Sequence, residues 1–421
     1  MAQHAHAKNN ETAVSKRMEL DTAATMFPLA FCDRQRSLVY LTATMNESVD
    51  LQKLQLALNR LITRFPSFYV RLCHDKSGFF FEKMDHAPVI CEAYEENKTL
   101  FLSLDDLLMC AFRVVVAENS ITLVYFHAIS DGFGGSVFLK SLIAEYLHIR
   151  YAISVPWSED ILCANDGPNS EEIKDAYLDI VGGSSKSNDL SNSYSIIGTS
   201  DEKLHITELT LKTGELLRCA CEYGVSLTAL LSGILTTALF DLQRYENRGH
   251  QEIRLSIPVD LRKRFRSITL RNFSILVTVN AGKEKTPLHA LCQSFDKQLK
   301  GNLSNENLSA IATSYVRLAR NKVFAILPLF LKRWMVQMYF SLSQSVNCMT
   351  FSNLGVWQIP DDMKPYVERC SMVFSPKPTA PYSCGVVTVG NTLTLTLARN
   401  IKEPLLEARV LNVLKGVILN T

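Results

Sequence analysis

Several common signatures are missing from this 421-residue chain, and each absence removes a class of function. There is no G-x-S-x-G elbow, no P-loop and no dinucleotide glycine fingerprint, so a serine hydrolase, an NTPase or a dehydrogenase has no support. There is no C-x-x-C. The eleven cysteines are scattered, with only Cys219 and Cys221 close together. An odd, dispersed set fits neither a disulfide framework nor a zinc site, and reads as small hydrophobes in a reducing compartment. No long basic run accompanies the net charge of +2, so nucleic acid is not an expected partner. No stretch reaches the ~18 apolar residues of a membrane span. The polar opening, residues 1–14, lacks an apolar core and is not read as a signal peptide. These absences together predict a cytoplasmic protein, with residues 1–17 as a disordered tail and His4 and His6 as part of it.

What is present is a sizeable core: 47% of the residues are hydrophobic and 20% charged. The length suits two or three domains, or two coupled halves. Strand patterning appears at residues 37–45, 67–72, 78–82 and 107–116. The apolar positions Leu51, Leu54, Leu58, Leu61, Ile62 and Phe65 fall at helical spacing before Pro66. A turn is expected at Lys76-Ser77-Gly78, and residues 18–31 carry no firm assignment. Residues 181–203 are rich in Ser, Gly and Asn and read as a linker. A second unit of similar grammar follows. It has strands at 205–211, 252–259 and 272–279, and helices at 214–223, after Ser226, after Thr286, and at 307–320. A hairpin is expected at Gly390-Asn391, then a last helix at 405–419. Residues 323–331 form the greasiest run and read as a core or groove-lining helix containing Pro328, with a peripheral membrane contact as the alternative. The Met and Phe residues of 324–340 read as core. The adjacent pairs Asp105-Asp106 and Asp361-Asp362 read as loop or cap residues.

One stretch, residues 121–147, organises the chain. Ile121, Leu123, Tyr125 and His127 alternate with Thr122, Val124 and Phe126, as in a strand. An Asp131-Gly132 turn and two further glycines follow. From Ser136, a plausible N-cap, the period becomes helical. His127 therefore sits where strand gives way to turn. An unperturbed imidazole titrates near neutrality and can take a proton from a hydroxyl or amine. The competing reading is a core histidine with a satisfied ring.

The run Phe126-His127-Ala128-Ile129-Ser130-Asp131-Gly132-Phe133-Gly134-Gly135 resembles the H-x-x-x-D-G active-site motif of the CoA-dependent acyltransferase superfamily. That group takes in chloramphenicol acetyltransferase, plant BAHD acyltransferases, condensation domains and alcohol acetyltransferases. Residues 56–72 resemble the family's first helix and following strand. Ile257-Pro258-Val259-Asp260-Leu261-Arg262 with Leu270-Arg271-Asn272-Phe273, and Phe351-Ser352-Asn353-Leu354-Gly355, resemble its later segments, in family order. The alcohol acetyltransferases are the most similar group in these segments. Phe126 stands where many relatives have a first histidine, which disfavours a peptide-synthetase condensation domain, and the plant D-F-G-W-G motif is absent.

The resemblance implies an α+β fold of two chloramphenicol acetyltransferase-like α/β sandwich halves with mixed sheets and an active-site tunnel between them. The halves would be residues 18–182 and 204–421, joined by a linker at 183–203. It implies His127 as general base, Asp131 as a structural carboxylate paired with Arg262, Gly132 for close packing, and Ser352 or Asn353 as oxyanion donor. Asp131 as a helix cap, Arg262 within a solvated basic cluster, and Ser352-Asn353 as a plain turn are the competing readings. The expected reaction moves an acyl group, such as acetyl, from acyl-CoA to an alcohol or amine, with no metal and no permanently bound cofactor. A carrier-protein thioester is the alternative donor. A non-catalytic binding module of the same fold is the alternative of a different class. A monomer is expected, because two joined halves already supply an interface.

Overall fold

Alternating and continuously apolar runs become strands in three sheets, and the broad apolar stripes become helices laid against them. The computed structural model describes residues 16–76, 78–93, 100–182, 192–342 and 346–419. The strands are β1 (Arg17–Met18), β2 (Leu38–Met45), β3 (Val70–His74), β4 (Phe79–Lys83), β5 (Cys91–Glu92), β6 (Phe112–Ala117), β7 (Ser120–Phe126), β8 (Ser200–Lys212), β9 (Arg254–Asp260), β10 (Ser274–Asn280), β11 (Met349–Val356), β12 (Val367–Phe374), β13 (Tyr382–Val389) and β14 (Thr392–Ile401). The helices are α1 (Met26–Ala30), α2 (Leu51–Arg60), α3 (Leu104–Met109), α4 (Gly132–Tyr151), α5 (Thr213–Tyr223), α6 (Leu227–Tyr245), α7 (Arg262–Phe265), α8 (Leu288–Asn302), α9 (Asn305–Ala319), α10 (Lys322–Ile326), α11 (Leu329–Leu342) and α12 (Glu407–Leu419).

The sheets run β12-β2-β7-β6-β5, β10-β9-β11-β13-β14-β8 and β1-β4-β3. The two larger ones are mixed: β5 pairs parallel with β6, and β11 parallel with both β9 and β13. Two helices are apolar nearly all round and are correspondingly buried. They are α4, buried from Gly134 through Leu147, and α6, capped by Ser226, whose hydroxyl accepts from Ala229 N. Each belongs to a separate core, one for each large sheet.

One strand does not stay with its own half. Among the described residues β12 forms a ladder with no strand of the six-stranded sheet and pairs antiparallel with β2, so that Phe374 faces Val39 and Cys370 faces Ala43. β13 passes close behind it. A side chain at Gly385 would place its Cβ 1.9 Å from Met372 O, so only glycine fits at this crossing.

Local chemistry accounts for the differences from the sequence reading. The 107–116 run is not one strand. Ser103 and Asp106 form a capping box that starts α3 at Leu104, and only Phe112–Ala117 is extended. α4 begins at Gly132 rather than at Ser136. Asp131 caps it and accepts from Gly134 N, so the turn glycines are already helical. Pro287, not Thr286, precedes α8. β8 starts at Ser200, inside the expected linker, and residues 183–191 of that linker lie outside the described residues, as do residues 1–15 and Ser77. The 323–331 run is broken at Leu327-Pro328 and is exposed, not core: Ile326 and Phe330 are 83% and 74% accessible. All eleven cysteines are free thiols, five of them buried. Among the described residues no single helix is long and apolar enough to cross a membrane.

Candidate active site

His127 follows directly on β7. Its backbone N–H donates to Ser37 O at 2.9 Å, which fixes the end of the strand. One face of the imidazole stacks on Phe27 of α1, centroid to centroid 4.7 Å at 23°. Nδ1 lies 3.1 Å from Oδ1 of Asn272, which precedes β10. The residue keeps partial solvent access. It thus stands at the meeting of the two halves, neither walled off nor free in water.

The tautomer follows from what Asn272 touches. Its Nδ2 points at two acceptors, Asp21 Oδ2 at 3.2 Å and Ala128 O at 3.4 Å. Its Oδ1 therefore faces the ring, and an amide oxygen only accepts. Nδ1 must carry the hydrogen, and Nε2 keeps its lone pair. Close packing by surrounding protein pushes the imidazole pKa below its ordinary 6.5, against smaller opposing effects from its own main chain, Asp131 and Asn272. The neutral form, which is the one able to take a proton, is the resting state.

Asp21 is fully buried, accepting from Ala24 N at 2.8 Å and from Asn272 N at 3.3 Å. Arg271 Nε is 3.5 Å from its Oδ2. Burial raises this carboxyl to about 6, and the field of Arg271 works against that rise. Asp21, Asn272 and His127 form one hydrogen-bonded line from the N-terminal segment through the second half back to the first.

Asp131 does not contact the imidazole in this line. Its carboxylate receives both Arg262 guanidinium nitrogens, Nη1 at 2.9 Å and Nη2 at 3.0 Å, and the Phe273 N–H at 2.8 Å. It also caps α4, so the ion-pair and cap readings hold together. Arg262 is buried, unlike its exposed neighbours Lys263, Arg264 and Arg266. It donates further to Thr269 O, Arg271 O and Asp260, so every guanidinium nitrogen is engaged. The pair clamps the start of α4 to the loop that carries Asn272.

Of the glycines, Gly132 is not the one under steric pressure. A Cβ there would meet only side-chain ends, Met372 Sδ at 3.2 Å and Leu354 Cδ1 at 3.4 Å. At Gly134 it would fall 2.1 Å from Leu270 O, and at Gly135 2.3 Å from the Tyr125 hydroxyl. These two let α4 press against the Asn272 loop and β7.

The late motif lies on β11, where alternation separates its two polar residues. Asn353 turns toward α6: Nδ2 donates to Thr228 Oγ1 at 3.1 Å, and Oδ1 accepts from Gly355 N at 2.9 Å. Ser352 alternates with Asn353 and points to the other face, and Leu354, at a bulge in the β11–β13 register, approaches Gly132. Among the described residues the Ser352 hydroxyl has no side-chain hydrogen bond. Among the described residues no group of three or more His, Cys, Asp and Glu side chains is placed to hold a metal ion.

Asn272 was legible only as part of a resembling segment, without a role. Asp21 and Phe27 lie in the stretch that had no assignment. The available signal was a lone aspartate in a mostly apolar run.

No family model matches the sequence, and no curated relative matches it. Solved structures do match over nearly the whole length. Polyketide synthase associated protein 5 from Mycobacterium tuberculosis is 15% identical, with a TM-score of 0.62 over 96% of this chain and 97% of that one. The TRI3 trichothecene 15-O-acetyltransferase from Fusarium sporotrichioides is 13% identical, with a TM-score of 0.59 over 95% and 94%. The starter condensation domain of rhizomide synthetase, solved in complex with C8-CoA and Leu-SNAC, is 13% identical, with a TM-score of 0.58 over 98% and 96%. The chain has the mixed α/β fold shared by CoA-dependent acyltransferases and condensation domains. The solved structures that share this fold include an acetyltransferase and condensation domains.

Proposed function

We propose that the protein is an acyltransferase that moves an acyl group from acyl-CoA to a hydroxyl acceptor, with His127 as the base. The observation that carries this reading is the Asn272 contact, which leaves Nε2 unprotonated in a residue that keeps partial solvent access. Nε2 takes the acceptor's proton as its oxygen attacks the thioester carbonyl. A tetrahedral oxyanion forms, and in this reading the Ser352 hydroxyl donates to it. Collapse breaks the C–S bond. The departing thiolate takes the proton back from the imidazolium, giving ester and free CoA, and Nε2 is restored. An amine acceptor follows the same course and gives an amide. Nothing in this sequence needs a metal or a bound cofactor. The donor and acceptor would approach His127 from opposite ends of a passage between the halves.

The test is mass spectrometry of products after incubating the protein with a panel of acyl-CoAs and mixed alcohols and amines. Product from wild type, and a fall of ~10²–10⁴ in turnover for His127→Ala, is the expected result. Ser352→Ala is expected to cost ~10²-fold in kcat, and Asn353→Ala much less. Undiminished activity of His127→Ala would falsify the assignment. Transfer from a phosphopantetheinyl carrier but not from CoA would instead identify a condensation-type enzyme. No transfer from either donor would leave a binding module.

A further inference from the structure

The α10–α11 segment is built with its apolar side outward. Along α11, Phe330, Trp334 and Met338 recur every fourth residue and are 74%, 56% and 40% accessible. Val323 and Ile326 of α10, Leu318 of α9, and Met335 and Tyr339 of α11 are exposed as well. The inward side is partly polar: Lys332 is buried and donates to Ala325 O, and among the described residues a small apolar cluster joins Val336, with Phe324 and Leu329 beside it, to Leu29 and Ala30 of α1. A water-facing helix would show the reverse arrangement. So many exposed large apolar side chains within one short stretch of chain mark an interaction site.

Charge selects the partner. Between residues 307 and 348 the sequence has Arg317, Arg320, Lys322, Lys332 and Arg333 and no aspartate or glutamate. Arg317, Arg320 and Lys322 are exposed beside Leu318 and Val323. A protein groove of apolar character would not ask for this one-sided charge. The interface of an anionic bilayer does, because Trp and Phe settle at headgroup depth while Arg and Lys meet lipid phosphates. We infer that α10 and α11 form a docking surface for an anionic phospholipid membrane. The surface leads toward the candidate site: α11 packs on α1, and α1 carries Phe27, which stacks on His127. Docking would hold the site's N-terminal wall next to a reservoir of apolar acceptors or acyl donors. The inference rests on the patch and is independent of the acyl-transfer reading.

The experiment is co-sedimentation of the full chain with vesicles of phosphatidylcholine alone or with about 30% phosphatidylserine. Wild type is expected to sediment with the anionic vesicles only, and to be released at about 0.5 M salt. Trp334 emission should shift to the blue on binding; Trp334→Phe should lose the shift yet still sediment. The double changes Ile326→Asp/Phe330→Asp and Arg320→Glu/Lys322→Glu should each reduce binding about tenfold or more. A thermal melt establishes that they fold, and the Trp334 signal and charge reversal carry the test if the aspartate pair does not. Failure to sediment, equal sedimentation with neutral vesicles, or self-association abolished by the same aspartate pair would each overturn the inference, the last by making the patch a contact between copies. None of these outcomes bears on whether His127→Ala loses acyl transfer.

Discussion

The Nδ1 atom of His127 lies 3.1 Å from Oδ1 of Asn272, a residue 145 positions later in the chain. Most of the site's behaviour follows from that one contact. It joins the two halves at the imidazole, it selects the tautomer, and it passes the position of the ring back to Asp21.

Replacing Asn272 tests that selection. Asn272→Ala removes the acceptor for Nδ1–H while leaving the imidazole in place. The expected result is a fall of roughly 10–10² in kcat with little change in KM, because both tautomers become populated and the ring is less well held. Asn272→Asp restores an acceptor that carries charge. It should recover part of the rate and move the acid limb of the pH–rate profile upward, since a nearby carboxylate favours imidazolium. A merely structural asparagine would not shift that limb.

His127 and the buried Asp21 act in opposite directions with pH. His127 has a lowered pKa, so wild-type kcat/KM should hold down to below pH 6.5 and then fall as the base protonates. Unfolded imidazole binds protons more readily than the folded one here, so this group makes stability fall as pH drops below 6.5. Asp21 is raised from 3.8 to about 6, so the folded state binds its proton more tightly. Between those two values its contribution makes stability fall as pH rises, by about 3 kcal/mol in total. Asp21→Asn should flatten that component in denaturant titrations at pH 4, 5, 6 and 7. An unchanged slope would show that Asp21 is not the titrating group.

The Arg262–Asp131 pair is structural, and its loss should be read in stability first. Arg262→Ala leaves a buried carboxylate facing only the Phe273 and Gly134 amides. The expected cost is about 3–5 kcal/mol. Arg262→Lys should not rescue it, since one ammonium cannot reproduce two parallel bonds to Asp131 and three further contacts. The measurement is a denaturation midpoint for each variant. A Lys variant as stable as wild type would contradict the bidentate role.

Glycine at the start of α4 gives a comparison within one turn. Gly134→Ala drives a methyl group into the Leu270 carbonyl and the Ser130 hydroxyl, so α4 or the Asn272 loop must move. A cost of about 1–3 kcal/mol or more is expected, with loss of activity from the displaced ring partner. Gly132→Ala meets only the flexible ends of Met372 and Leu354, so a smaller effect is expected. Thermal melts of the two variants side by side check the ordering.

Strand and helix periodicity carried much of the fold. The helix after the Asp-Gly-x-Gly-Gly run was legible, though its start at Gly132 was not, Gly224 closed α5 in a left-handed conformation, and Gly390-Asn391 turned the β13–β14 hairpin. Local pattern could not show what depends on distant pairing. β12 has strand-like residues but nothing in it names β2 as partner. The α10–α11 run looked like core because composition alone cannot tell which way an apolar face points. At the site, His127, Asp131 and Arg262 carried a resemblance and were placed in the sequence accordingly. Asn272 acquires its role only through the ring 145 residues away, and Asp21 only through Asn272.

The exchange of β12 has a consequence for how the chain comes together during synthesis. β2 is complete by residue 45, yet the strand that covers its outer edge ends at residue 374 of 421. Through most of translation the first sheet therefore presents a row of unpaired amides and carbonyls, a template for wrong partners. Closing it requires a loop of more than three hundred residues, a slow step that invites help from chaperones. A nascent chain truncated before residue 367 should be sticky and prone to aggregate, however well its own core residues are chosen.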